Sequence, residues 1–229
     1  MTTSPGLVVQ NLTLPLRLGD FRLIAFDMDS TLINIECIDE IAAVAGKKAE
    51  VAAITEAAMR GEITDFKESL RRRLALLQGV PAQALEKVYT ERLRLNPGAQ
   101  ELVAAAKAAG LATLLVSGGF TYFAERVQRT LGIDRSASNV LEIESGRLTG
   151  RVIGDIVDGA EKQRQLLAFC ADLGCSPQQA IAMGDGANDL PMMGTAGLSV
   201  AYHAKPKVRA AAHVAIDTGG LDRLLEVFA

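Results

Sequence analysis

The chain has 229 residues, 49% of them hydrophobic and 22% charged, with a formal net charge of -3. That length and mixture suit one large or two unequal packed domains and exclude a disordered chain. The small net charge argues against nucleic acid or an anionic membrane surface as the main partner, and no apolar run approaches the ~20 residues of a membrane span.

Residues 1–20 carry two apolar stretches, Leu7-Val8-Val9 and Leu12-Thr13-Leu14-Pro15-Leu16. They predict an edge strand or a hairpin, with the proline marking an edge. The first core strand is expected over residues 22–27. Ile38, Ile41, Ala42 and Ala45 then recur at helical spacing, with Gly46 as a stop. A second helix is expected over 49–60, ended by Gly61. Thr64-Asp65-Phe66-Lys67 can cap a third, with Leu70, Leu74 and Leu77 on one face. Gly79 and Pro81 separate it from a fourth over 82–94. Four successive helices without a strand read as a small bundle inserted just after the first strand.

From Pro97 onward helix and strand alternate. Helices are expected over 98–109, 121–131, 160–173 and 220–228, the third with Leu166, Cys170 and Leu173 on one face. Buried strands are expected over 111–116, 180–183, 197–201 and 214–216, with a hairpin from Asn139 to Ile153 turning at Ser145-Gly146. Such alternation predicts an α/β fold: a Rossmann-like, doubly wound parallel sheet wrapped by helices.

Three of these strands end in chemistry-bearing residues. Asp27-Met28-Asp29-Ser30-Thr31 closes the first, Ser117-Gly118-Gly119-Phe120 the 111–116 strand, and Gly184-Asp185-Gly186-Ala187-Asn188-Asp189 the 180–183 strand. Carboxyl ends of parallel strands share one edge of the sheet, so the three segments should converge. Asp27, Asp29 and Asp185 offer hard oxygens, which suit Mg²⁺ far better than a soft metal, and no His or Cys cluster supports zinc. Three converging acids repel one another, and a divalent ion would hold them ionised. Ser117 and the amides of Gly118 and Gly119 can cradle a phosphate where a helix begins. Lys162, near the start of the next helix, can add a fixed positive charge.

These four segments resemble the four motifs of the haloacid dehalogenase superfamily. Within it the chain resembles the phosphoserine phosphatases. The inserted helices carry that closer likeness, through Glu36-Cys37-Ile38-Asp39-Glu40-Ile41-Ala42 and Phe66-Lys67-Glu68-Ser69-Leu70-Arg71-Arg72-Arg73. The resemblance covers about residues 20–229. It implies a core of residues 21–34 and 96–229, a small α-helical cap of residues 35–95, and an N-terminal extension of residues 1–20. It also implies Mg²⁺-dependent hydrolysis of O-phospho-L-serine through an aspartyl-phosphate, the last step of serine biosynthesis.

The implied roles follow position by position. Asp27 is the nucleophile, and Asp29 is the general acid and then base. Asp27, Asp185 and the main-chain carbonyl of Asp29 hold Mg²⁺, with Asp189 supporting from behind. Ser117, Gly118, Lys162 and Asn188 serve the phosphate. Glu36 takes the substrate ammonium and Arg73 its carboxylate, while Phe66 and Met59 shield the pocket. The alternative reading of Glu36 is a first-turn helix acid, and that of Arg73, flanked by Arg71 and Arg72, a solvated face. An alcohol such as homoserine could intercept the intermediate instead of water, or another small phosphate ester could be the substrate. A phosphoserine-binding protein without activity is disfavoured by the full set of reactive residues.

The expected partner is a small molecule, with no nucleic acid and no membrane, and homodimerisation is left open. Cys37, Cys170 and Cys175 form an odd set that reads as reduced thiols. With no basic, apolar leader at the N-terminus, a cytoplasmic location is expected. Many relatives carry an additional N-terminal ligand-binding domain, and about 20 residues precede the first core strand here, so regulation through such a domain is not expected. His203 and His213 match no motif and read as structural or surface residues.

Overall fold

The computed structural model describes residues 4–12, 14–59 and 62–229, with Met59 described for its backbone only. Among these residues one eight-stranded sheet runs in the order β1-β8-β7-β6-β2-β3-β4-β5. The strands are β1 (Leu7–Val9), β2 (Leu23–Phe26), β3 (Ala112–Phe120), β4 (Arg135–Glu144), β5 (Arg147–Ile153), β6 (Ala180–Gly184), β7 (Leu198–Tyr202) and β8 (Val214–Ile216). Neighbours from β8 through β4 pair in parallel. β1 and β5 pair antiparallel at the two edges. The parallel sheet read from the sequence is thus its centre, and Leu7-Val8-Val9 forms an edge strand.

Both faces of the central strands are buried, as helix-covered parallel sheets require. Side chains alternate between two cores because strand side chains have a period of two. Ile24, Phe26, Leu115, Ile181 and Met183 pack on one face, against α5 (Ala99–Ala108) and α6 (Thr121–Leu131). Leu23, Ala25, Leu114, Val116 and Ala182 pack on the other, against α7 (Gly159–Asp172), α8 (Leu190–Thr195) and α9 (Pro206–Ala211).

Between β2 and β3 come α1 (Cys37–Val44), α2 (Lys48–Met59), α3 (Phe66–Leu76) and α4 (Gln83–Glu91) in succession. Asp65 caps α3 by accepting from the Lys67 amide at 3.0 Å. Leu70, Leu74 and Leu77 are buried, as their spacing predicts. The expected stop of α2 at Gly61 lies outside the described residues.

Four differences from the sequence reading have physical causes. β3 runs on past the expected end at 116, through Ser117-Gly118-Gly119 to Phe120, with a shift of register against β4, so these residues form an irregular strand end. β4 starts at Arg135, and its first part pairs with β3 before its second part makes the hairpin. The last helix is a 3₁₀ segment, Leu221–Val227. Its buried residues Leu221, Leu224 and Val227 repeat every three positions, the period of that helix. Leu173, expected on the buried face of α7, lies beyond its last turn and is 42% exposed. The short helices α8 and α9 had no clear periodic signal.

Candidate active site

Strand register brings the three segments together. Phe26 of β2 lies level with Leu115 of β3 on one side and Met183 of β6 on the other. Asp27, Ser117 and Asp185 therefore come together at one edge of the sheet. They line a cavity of about 960 Å³ that also touches Asp29, Glu36, Phe66, Arg73, Gly118 and Asn188. Of the remaining expected site residues, Lys162 and Asp189 are fully buried beneath this surface. The Met59 side chain lies outside the described residues.

The floor is an ionic cluster. Lys162 Nζ donates to Asp27 Oδ1 at 2.5 Å and to Asp189 Oδ1 at 2.6 Å. Burial opposes the ammonium, but Asp189 and Asp27 outweigh it and raise the Lys162 pKa. The other Asp189 oxygen accepts from the amides of Asp185 and Gly186, at 3.2 and 3.0 Å. Asp189 is thereby saturated with donors and holds the Asp185 loop in shape. Asp158 caps α7 by accepting from the Glu161 amide at 2.8 Å, which orients the first turn that carries Lys162.

Asp27, Asp185 and Asp189 each offer a ligand atom within 4.8 Å of the others. Burial and then the neighbouring carboxylates raise Asp27 well above the usual range and Asp185 to about 7. Oxygens this crowded suit a hard divalent cation. The Asp29 carboxylate stands outside that group. It accepts from the Cys37 amide at 2.9 Å and from Cys37 Sγ at 3.2 Å. Burial, followed by the charge of Glu36, pushes Asp29 up to about 7.

Local backbone geometry sets up this separation. Between Met28 and Leu32 the chain makes an irregular helical turn in which Asp29 is extended and Ser30 is left-handed at φ 58°. Ser30 Oγ donates to Glu36 Oε1 at 2.7 Å, tying the turn to the start of α1. Gly118 and Gly119 allow close approach. A Cβ on Gly118 would lie 3.0 Å from the Phe66 ring, and one on Gly119 would lie 2.9 Å from Met28 and 3.2 Å from Asp29 Oδ1. The Gly119 amide donates to Ser117 Oγ at 2.8 Å, inside the strand end itself.

Several contributors had no sequence signal. Cys37 read only as a reduced thiol. Asn139 read as a hairpin residue, yet its Nδ2 donates to the Gly118 carbonyl at 2.7 Å and its Oδ1 accepts from the Val157 amide at 2.8 Å. It thus pins the bulged end of β3. Lys205 and Lys207 add exposed positive charge at the cavity wall. The Lys67 ammonium meets Asp158 at 3.1 Å, linking α3 to the start of α7. Among the described residues no helix is long and apolar enough to cross a membrane.

Residues 24–194 match the family model of haloacid dehalogenase-like hydrolases. A phosphoserine phosphatase of Albidiferax ferrireducens is 67% identical, over 98% of this chain and 97% of its own length. Among solved structures, a phospho-aspartyl intermediate analogue of phosphoserine phosphatase superposes with a TM-score of 0.85 at 37% identity, covering 91% of this chain and 99% of that one. A substrate-bound phosphoserine phosphatase complex gives the same values. The chain belongs to the haloacid dehalogenase-like hydrolase family.

Proposed function

We infer that the chain hydrolyses O-phospho-L-serine to L-serine and phosphate through an aspartyl-phosphate, as the last step of serine biosynthesis in the cytoplasm. One observation carries this reading. Glu36 and Arg73, opposite charges from the N-cap of α1 and the last turn of α3, line the same cavity as Asp27 and Asp29. A zwitterionic amino acid bearing a phosphate presents the matching three groups.

In this mechanism a carboxylate oxygen of Asp27 attacks phosphorus, and the bond from phosphorus to the serine oxygen breaks. Asp29 gives its proton to that oxygen as it leaves. A pKa pushed up to about 7 leaves much of Asp29 protonated at neutral pH, as an acid needs. Asp29 then takes a proton from water, which attacks phosphorus and frees Asp27. Lys162 keeps Asp27 oriented, while Ser117, the Gly118 amide and Asn188 hold the transferred group. Glu36 holds the ammonium, Arg73 the carboxylate, and Phe66 with Met59 excludes water.

The acid cluster fits a hard divalent ion, which we assign as Mg²⁺ held by Asp27, Asp185 and the Asp29 carbonyl, with Asp189 behind. Bound Mg²⁺ would supply the charge that screens an anionic phosphate from an anionic nucleophile.

We further divide the chain into an extension of residues 1–20, a core of residues 21–34 and 96–229, and a helical cap of residues 35–95. A two-way crossing supports this boundary. Ile33 bridges Leu95, the Asn34 amide donates to the Arg94 carbonyl at 3.1 Å, and the Asn96 amide donates to the Leu32 carbonyl at 2.9 Å.

The test is phosphate release from O-phospho-L-serine with Mg²⁺, beside an EDTA control, a panel of small phosphate esters and added homoserine. Selective, metal-dependent release is expected. Preference for another ester would discard the substrate, and phosphohomoserine as main product would replace hydrolysis by transfer.

A further inference from the structure

Asp39 and Arg73 are opposite charges on the wall of the cavity. Asp39 lies in the first turn of α1, three residues after Glu36 at its N-cap, and both line the cavity. Arg73 stands in the last turn of α3. Its one hydrogen bond among the described residues is long, 3.4 Å from Nε to the Ser69 carbonyl of its own helix. That contact leaves the end of the guanidinium unheld by hydrogen bonds. Burial lowers the Arg73 pKa, and Asp39 is the largest of the charges that oppose it, ahead of Glu36 and Asp29. Reciprocally, burial raises Asp39, and Arg73 is the largest charge drawing it down. Asp39 Oδ1 is buried and accepts no hydrogen bond from any described residue. A buried carboxylate oxygen without a donor is costly to keep. Among the described residues, Arg73 is the larger of the two positive charges that favour this carboxylate, ahead of Lys48.

We propose that Asp39 is a positioning residue that aims the Arg73 guanidinium at the substrate's carboxylate. The proposal rests on the phosphoserine reading of the site. An arginine side chain has many rotamers, and freezing them opposes binding. A fixed negative charge on α1 draws the guanidinium toward that side before substrate arrives. The planar fork keeps enough donors to grip a carboxylate with two parallel hydrogen bonds. Glu36, already engaged by Ser30, remains the partner of the ammonium.

Asp39→Asn keeps the shape and removes the charge. Steady-state kinetics on O-phospho-L-serine and on O-phosphoethanolamine, which lacks the carboxylate, separate the outcomes. In the variant, KM for O-phospho-L-serine should rise about tenfold, a coupling typical of neighbouring charges, with kcat within about twofold. KM for O-phosphoethanolamine should hold. On an Arg73→Ala background the same change should have no further effect on either ester. Asp39→Glu should recover part of the selectivity. Equal losses on both esters, an unchanged or lowered KM for O-phospho-L-serine, or full additivity with Arg73→Ala would each overturn the positioning role. A wild-type enzyme without preference for the carboxylate-bearing ester would instead overturn the substrate reading, and the proposal with it.

Discussion

Replacing Lys162 by methionine tests the ionic floor of the site most directly. The ammonium is 0% exposed and sits 2.5 Å from Asp27 and 2.6 Å from Asp189. Removing it leaves two buried carboxylates facing each other with nothing between. Breaking a buried ion pair in this way costs about 3–5 kcal/mol. The low end applies because Asp189 keeps the two amide donors of Asp185 and Gly186. At roughly 2–4 °C per kcal/mol for a chain of this length, the melting temperature should fall on the order of 10 °C. The loss also has a pH signature. Burial and neighbouring acids already raise Asp27, and loss of the ammonium raises it further. A carboxylate raised in the folded state destabilises only where the unfolded chain would ionise it, above about pH 4. The deficit should therefore deepen from pH 5 to pH 8 and shrink below pH 5. Thermal and urea unfolding of both proteins in EDTA at three pH values measures this. A loss under about 1 kcal/mol at pH 8, or one that does not vary with pH, would refute the view that Lys162 neutralises the floor.

Asp27→Asn should abolish phosphate release while the protein melts cooperatively, because the amide keeps the shape and relieves repulsion with Asp189 and Asp185; most activity remaining would remove Asp27 as nucleophile. Mg²⁺ at about 100 times its Kd should stabilise the wild type by about 2.7 kcal/mol in a melting assay. Asp185→Asn should lose most of that stabilisation, and a wild type indifferent to Mg²⁺ would remove the acid cluster as the ion's site. Away from the site, Asp134 accepts from the Thr113 amide and hydroxyl, both at 2.8 Å, joining β3 to the turn before β4. Asp134→Ala should cost about 1 kcal/mol, since the residue is partly solvated, with kcat unchanged. Burial opposes its charge, but the Thr113 hydrogen bonds prevail and lower its pKa. Its stabilisation is thus present above the unfolded value and disappears as pH falls through the lower folded one. An equal loss at pH 3 and pH 7 would contradict that assignment.

The amino-acid order alone determined the parts of the site that lie beside their own strands. Asp27, Ser117 and Asp185 each follow an apolar run that a buried parallel strand requires, so local pattern and the geometry of strand ends led to them. The four helices after β2 were legible for the same kind of reason, because Leu70, Leu74 and Leu77 repeat along one face. Tertiary structure alone decided which partner each carboxylate meets. Asp29 and Asp189 both stand close to strand ends in the chain, yet one turns to Cys37 and the other takes Lys162 from a helix far away in sequence. Asn139 pins Gly118, and Asp39 and Arg73 share the cavity wall, across segments with no sequence relation. Such pairings depend on strand order and helix placement, which bring distant residues within reach. Hydrophobic periodicity reports which face of an element is buried, and is silent on what that face will meet.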